Sequence, residues 1–255
     1  MITFDAILDA TSDPRIRDLE IGAFEPADVV NLILQRSEIV RDRPRSGRLI
    51  RAWVDGDETP LRAVVDEMGD DLIRRAAAII WLEYQEMKPI LDTLSPRRVA
   101  DIGCGYAVFD LFLWQDQKPH LLLIDLETSD ERHFGFDKTG AAYTSLAVAE
   151  RFLTDNGVDP GAIVCRNPEK VDITREPSVD LAVSLVSCGY HYPVDTYWDF
   201  FLRTVTPDGA VILDLRARKA AEASALLESM GTLATLTDAA DGTARRVVLR
   251  KGAAG

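Results

Sequence analysis

A chain of 255 residues, 47% of them hydrophobic, can bury one large core or an α/β domain with a smaller extension. Its 29 basic and 42 acidic residues give a net charge of −13, which disfavours nucleic-acid backbones and anionic membrane surfaces, because both are held by neutralising phosphates. Cys104, Cys165 and Cys188 show no C-x-x-C spacing, so neither a disulfide framework nor a zinc site is expected and a reducing cytoplasm fits best.

Residues 1–5 lack the basic and apolar regions of a signal peptide, and no run reaches the ~18 apolar residues of a membrane span. Residues 1–95 read as helices and loops, with a boundary at Ser95-Pro96. Pro26 opens a helix in which Val29, Leu32, Ile33, Arg36 and Val40 recur at helical spacing. Residues 41–51 form a basic loop, either a solvated connector or a contact for a phosphate- or carboxylate-bearing substrate. A second helix starts at Thr59-Pro60, has Gly69 as a break and runs to Leu94 along one apolar face that docks on the domain beyond residue 95. These helices are also the candidate dimerisation module.

Residues 96–255 alternate strands with helices, the pattern of a doubly wound, mostly parallel α/β sheet. Strands are expected at 98–102, 120–125, 162–166, 180–187, 210–215, 233–236 and 245–250. Helices are expected at 108–114, 141–154, 195–204 and 217–230. Asp241-Gly242 is a hairpin signal that makes the last strand antiparallel.

Val99 to Ala107 reads V-A-D-I-G-C-G-Y-A, an apolar strand entering a glycine turn with a helix immediately after it. Glycine is needed where backbone turns tightly and a ligand approaches, and the carboxyl end of such a strand is where these sheets bind nucleotides. The nonapeptide resembles the first motif of class I S-adenosylmethionine-dependent methyltransferases, with Ala107 as a mild departure. A dinucleotide-binding loop would place glycine at 108, where Val108 stands. The resemblance implies a seven-stranded Rossmann-like sheet over residues 96–255 and S-adenosylmethionine as cofactor. It also implies that Asp101, Gly103, Cys104 and Gly105 surround the methionine portion. Asp125 ends the next strand and takes the ribose hydroxyls in preference to Glu127. Asn167 either meets the purine edge or serves as a turn residue, and Ser184 on the fourth strand completes the cofactor set.

Methyl transfer from a sulfonium requires an oriented acceptor and, for a hydroxyl, removal of its proton. The exit of the fourth strand, residues 187–198, gathers Tyr190, His191, Tyr192 and Tyr197, with His191 the candidate base or a packing residue. This stretch is similar to sugar O-methyltransferases of bacterial glycan loci, which implies a sugar or polyol acceptor. His133, with Phe134 and Phe136, is either a surface loop or a fold over the cofactor. Asp214 is read as capping or substrate-facing, and no catalytic metal is expected because oxygen ligands are lacking beside it.

No Asn/Asp-Pro-Pro-aromatic tetrapeptide follows the fourth strand, which argues against a nucleobase acceptor. Tyr84 and Lys88 have the spacing of short-chain dehydrogenases but precede the glycine loop. The expected activity is therefore O-methylation of a small polar metabolite. The alternatives are a non-catalytic binding protein of the same fold and an NAD(P)-dependent oxidoreductase.

Overall fold

A computed structural model describes residues 2–127 and 144–252. The chain opens with six helices: α1 Phe4–Ala10, α2 Pro14–Arg17, α3 Pro26–Gln35, α4 Ser46–Val54, α5 Thr59–Met68 and α6 Asp70–Leu94. The α/β part comes next as β1 Arg98–Ile102, α7 Val108–Gln117, β2 His120–Ile124, α8 Leu146–Asp155, β3 Ile163–Arg166, β4 Val179–Ser184, α9 Trp198–Arg203, β5 Val205–Arg216, α10 Ala220–Glu228, β6 Gly231–Ala239 and β7 Ala244–Lys251.

The seven strands form one sheet in the order β3-β2-β1-β4-β5-β7-β6. β7 runs antiparallel to both its neighbours, so six strands point one way and the last is reversed, as the hairpin signal requires. Alternation along each strand assigns side chains to two faces. Val99, Leu121, Leu123, Leu181, Val183 and Ile212 face the helices of the amino-terminal region together with α7 and α8 in one continuous apolar cluster. Ala100, Leu122, Ala182, Val211 and Leu213 face α9 and α10. With both faces covered, the strands carry near-continuous apolar runs, which is why they are legible in the sequence.

Helix starts follow local rules. Thr3 caps α1 by accepting the Ala6 amide, and Asp13 caps α2 by accepting the Arg15 amide ahead of Pro14. Gly69 at φ +50, ψ −121 breaks the long apolar pattern into α5 and α6, a backbone geometry open to glycine. The structure differs from the sequence pattern in three places. Half of the basic segment 41–51 is helical, because Leu49, Ile50 and Trp53 pack on the core from α4 while its arginines mask that face in the sequence. Arg41, Arg43 and Asp42 are tied to Asp241, Glu67 and Arg75 respectively, whereas Arg45, Arg48 and Arg51 are exposed. β4 ends at Ser184 instead of 187, since Val186 turns into the left-handed region. α1 and α2, which carry one buried apolar residue each, went unrecognised for want of a repeating face.

No helix among the described residues is long and apolar enough to cross a membrane. His133, Phe134 and Phe136, together with residues 141–143 at the start of an expected helix, lie outside the described residues.

The docking of α6 on α7 can be tested at Phe112, which exposes no surface and whose ring centre lies 5.0 Å from that of Trp81. Phe112→Ala is expected to cost about 3–5 kcal/mol, read from the denaturant midpoint. A loss under about 1 kcal/mol would mean that this contact carries no packing energy.

Candidate active site

Parallel register brings the carboxyl ends of β1, β2 and β4 together, pairing Asp101 with Leu123 on one side and Val183 on the other. A crevice opens there, walled by the glycine loop, the end of β2, the segment after β4 and the end of α3. Gly103 lies at φ +74, and a Cβ on it would fall 1.9 Å from Ser187 Oγ, so this position demands glycine twice over. Gly105 lies at φ +58 and Ala107 at φ +56. The alanine, the loop's departure from the glycine pattern, thus occupies the left-handed region at some cost in strain.

The loop is held from both sides. Asp125 Oδ2 accepts the Gly105 amide at 2.9 Å and Oδ1 accepts the Leu126 amide at 2.8 Å. Tyr106 donates its hydroxyl to Asp28 at 2.9 Å and accepts from Asn31 Nδ2 at 3.1 Å, pinning the loop to α3. Thr144 Oγ1 donates to the Gly105 carbonyl at 2.6 Å. The carboxylate also lines the crevice, where it can accept from a ligand. Burial raises its pKa to about 6, against the lowering effect of the backbone amides.

Asp101 is 4% exposed and lines the crevice, and its Oδ1 has no hydrogen-bond partner among the described residues. Behind it, in the first turn of α7, Asp110 is fully buried, and neither oxygen has a donor among the described residues. Two buried carboxylates side by side repel without solvent to screen them, so a proton held between them satisfies both. Burial, then the Asp110 charge, pushes Asp101 well above its usual range, and burial brings Asp110 to about 7. Burial also raises the Cys104 thiol, which removes it as a nucleophile at neutral pH.

On the far wall His191 and Tyr197 line the crevice, and Tyr192 joins its hydroxyl to Ser187 Oγ at 3.0 Å. The edge of the Tyr190 ring meets His191 at 5.0 Å between centroids. Burial raises both Tyr192 and Tyr197, so their phenols stay protonated and act as donors. Of the residues singled out in the sequence, Asp101, Gly103, Cys104, Gly105, Asp125 and His191 therefore meet in one crevice. Ser184 does not line it: its Oγ donates to the Ile102 carbonyl and accepts the Cys188 amide. Asn167 donates to the Leu126 carbonyl and to Glu127 and accepts the Glu169 amide, the bonds of a turn residue placed behind Leu126. Tyr84 and Lys88 both bond Asp116, away from the crevice. Sequence reasoning passed over Gln35 and Arg36 at the end of α3, since nothing local shows that this helix end reaches the glycine loop.

No family model matches the chain, and no curated protein matches it. A solved candidate O-methyltransferase from Nostoc punctiforme superposes with a TM-score of 0.50 at 12% identity, over 71% of this chain and 59% of that longer one. The chain shares the α/β fold of that candidate O-methyltransferase. A candidate O-methyltransferase from Klebsiella pneumoniae gives a TM-score of 0.47 at 17% identity, covering 67% of this chain and 80% of that one. TomG of Streptomyces achromogenes, an O-methyltransferase of tomaymycin synthesis solved with its cofactor, gives 0.48 at 14%, with the same coverage. Within this methyltransferase fold the crevice lies where the strand order reverses between β1 and β4, the place at which open α/β sheets bind ligands.

The shared proton has a sign that can be checked. In the unfolded chain both carboxyls titrate near the usual 3.8, so between about pH 4 and 7 the folded state holds more protons. This contribution is complete at low pH and is lost as pH rises through about 7. Asp110→Asn, which offers Asp101 a donor at every pH, is expected to gain stability relative to wild type from pH 5 to 8 in thermal melts. Parallel curves would rule out the proton.

Proposed function

We propose that the chain is a methyltransferase that uses S-adenosylmethionine to O-methylate a small polar metabolite such as a sugar or polyol. The observation that carries this reading is one crevice that joins a glycine loop without room for a Cβ to the Asp125 carboxylate on the adjacent strand end. The Asp101 carboxylate in the crevice wall suits the ammonium of a bound amino acid, and the Asp125 carboxylate suits a pair of vicinal hydroxyls. Gly103, Cys104 and Gly105 supply backbone against which a thioether-length chain can lie. The side chain of Val108 in the first turn of α7 is buried, leaving no glycine there for a pyrophosphate to approach.

When bound, the cofactor supplies a methyl group on a positively charged sulfur. The chain's own contribution is orientation and proton removal. An imidazole nitrogen of His191 would accept the proton of the acceptor hydroxyl. The Ser187 and Tyr192 hydroxyls are placed to hold a neighbouring acceptor oxygen, and Tyr197 offers a ring face that suits the apolar side of a sugar.

Calorimetry with S-adenosylmethionine, S-adenosylhomocysteine and NAD tests the assignment. The first two are expected to bind, with affinity falling at least about tenfold in Asp125→Ala, a change equal to one charge-assisted hydrogen bond or more. Gly103→Ala should lose binding as severely, because its methyl group displaces Ser187. Tight NAD binding with neither of the others sinks the reading. Since Asp125 titrates near 6, affinity for the cofactor should climb as pH rises from 5 to 7. Flat affinity over that range would separate ribose recognition from the carboxylate. In an acceptor screen starting with sugars, His191→Ala is expected to lower turnover about 10²–10⁴-fold.

A further inference from the structure

The segment that carries Ser187 and His191 into the crevice is held by another strand. Val186 sits at φ +51, a left-handed conformation that a β-branched residue keeps only where its surroundings impose it. The restraint comes from the end of β5. Asp214 Oδ2 accepts the Val186 amide at 3.2 Å. Two residues on, Arg216 donates its amide to the Gly189 carbonyl at 2.9 Å and its Nε to the Tyr190 carbonyl at 2.7 Å, with its guanidinium 4.4 Å from the centre of the Tyr190 ring.

Asp214 is itself clamped. Arg246 of β7 reaches both its oxygens, Nε to Oδ1 at 2.7 Å and Nη2 to Oδ2 at 2.8 Å, and neither side chain exposes any surface. A second buried pair stands beside it. Arg36 donates from both terminal nitrogens to Glu83 at 2.9 Å, and Glu83 Oε2 lies 3.9 Å from Arg246 Nη2. The charges alternate as Arg36, Glu83, Arg246, Asp214, starting at a residue that lines the crevice and ending on the amide that leads into its other wall. Buried ion pairs seldom add net stability over apolar packing, so their presence here points to a demand for fixed geometry. Packing of α6 on the sheet needs no bond to Val186.

We propose that Asp214, clamped by Arg246, is a positioning residue that fixes the 186–191 segment in its strained form and so aims His191 into the crevice. Through Glu83 the same chain of charges ties that segment to Arg36, so the two walls keep their relative placement. The role in methyl transfer rests on the proposed function, whereas the positioning itself does not.

The test compares two double variants that each remove both charges, so that no lone ion is left buried. Asp214→Leu/Arg246→Met deletes the acceptor for Val186, and Asp214→Asn/Arg246→Met retains one. By nuclear magnetic resonance, the first is expected to shift the Val186 amide and the His191 ring carbons and to speed amide exchange over 186–191 by about tenfold or more. The second should restore most of the wild-type pattern, a rescue that loss of packing alone would not show. Unchanged His191 and segment signals in a folded Asp214→Leu/Arg246→Met protein overturn the proposal. Should neither variant fold, wild type decides: a Val186 amide exchanging as fast as an unbonded loop amide overturns it, and protection matching the interior of β5 supports it. These readouts need no cofactor. If S-adenosylmethionine fails to bind while the signals behave as stated, the proposed function falls and the positioning stands.

Discussion

The central strands of the sheet are buried on both faces, so a ligand meets them at their exits, and the rest of this molecule is arranged around that constraint. Helices cover Val99, Leu123 and Val183 on one side and Ala100, Leu122 and Ala182 on the other, so no side chain in mid-strand can meet a ligand. The parallel register then sets the exits of β1, β2 and β4 level with one another. The crevice is lined by Asp101 near the end of β1 and by residues just past those exits, Gly103 to Gly105, Asp125, Val186, Ser187 and His191. Their proximity results from strand pairing, whatever their separation along the chain.

The turns at these exits are not self-supporting. Gly103, Ala107 and Val186 all lie at positive φ, and for the last two the conformation is unfavourable. Each strained turn has a bond that opposes its relaxation, from Asp125 at the glycine loop and from Asp214 after β4. Both carboxylates belong to neighbouring strands. Sites whose geometry must be held more tightly than a loop can hold itself use rigid elements for support in this way. The amino-terminal helices add a further restraint, since Tyr106 joins the glycine loop to Asp28 and Asn31, and Arg36 joins the crevice wall to Glu83.

Electrostatics divides this site into two kinds of charge. Asp214 and Glu83 are matched by arginines and serve geometry. Asp101, Asp110 and Asp125 form no ion pair among the described residues, and burial raises all three.

What the sequence determined by itself was whatever is written in local pattern. Apolar runs marked the strands, most continuously where burial on two faces requires them, Gly103-Cys104-Gly105 marked the loop because its backbone turns at positive φ, and Asp125 stood out as an acid closing an apolar run. Asp241-Gly242 announced the reversed last strand. Tertiary structure decided the rest. Ser184 and Asn167 look like site residues in the sequence, yet folding commits their polar atoms to backbone groups and to Glu127, contacts that no local pattern encodes. Arg36 reads as one more position on a helix, and only the docking of α3 brings it to the crevice. Asp110 is an ordinary first-turn acid until α7 packs it behind Asp101. Asp214 and Arg246, thirty-two residues apart, become a pair because β7 inserts between β5 and β6. Periodicity and turn chemistry act over a few residues and can be read directly. Pairing between distant residues depends on strand order, which a single sequence leaves open because many orders satisfy the same local rules.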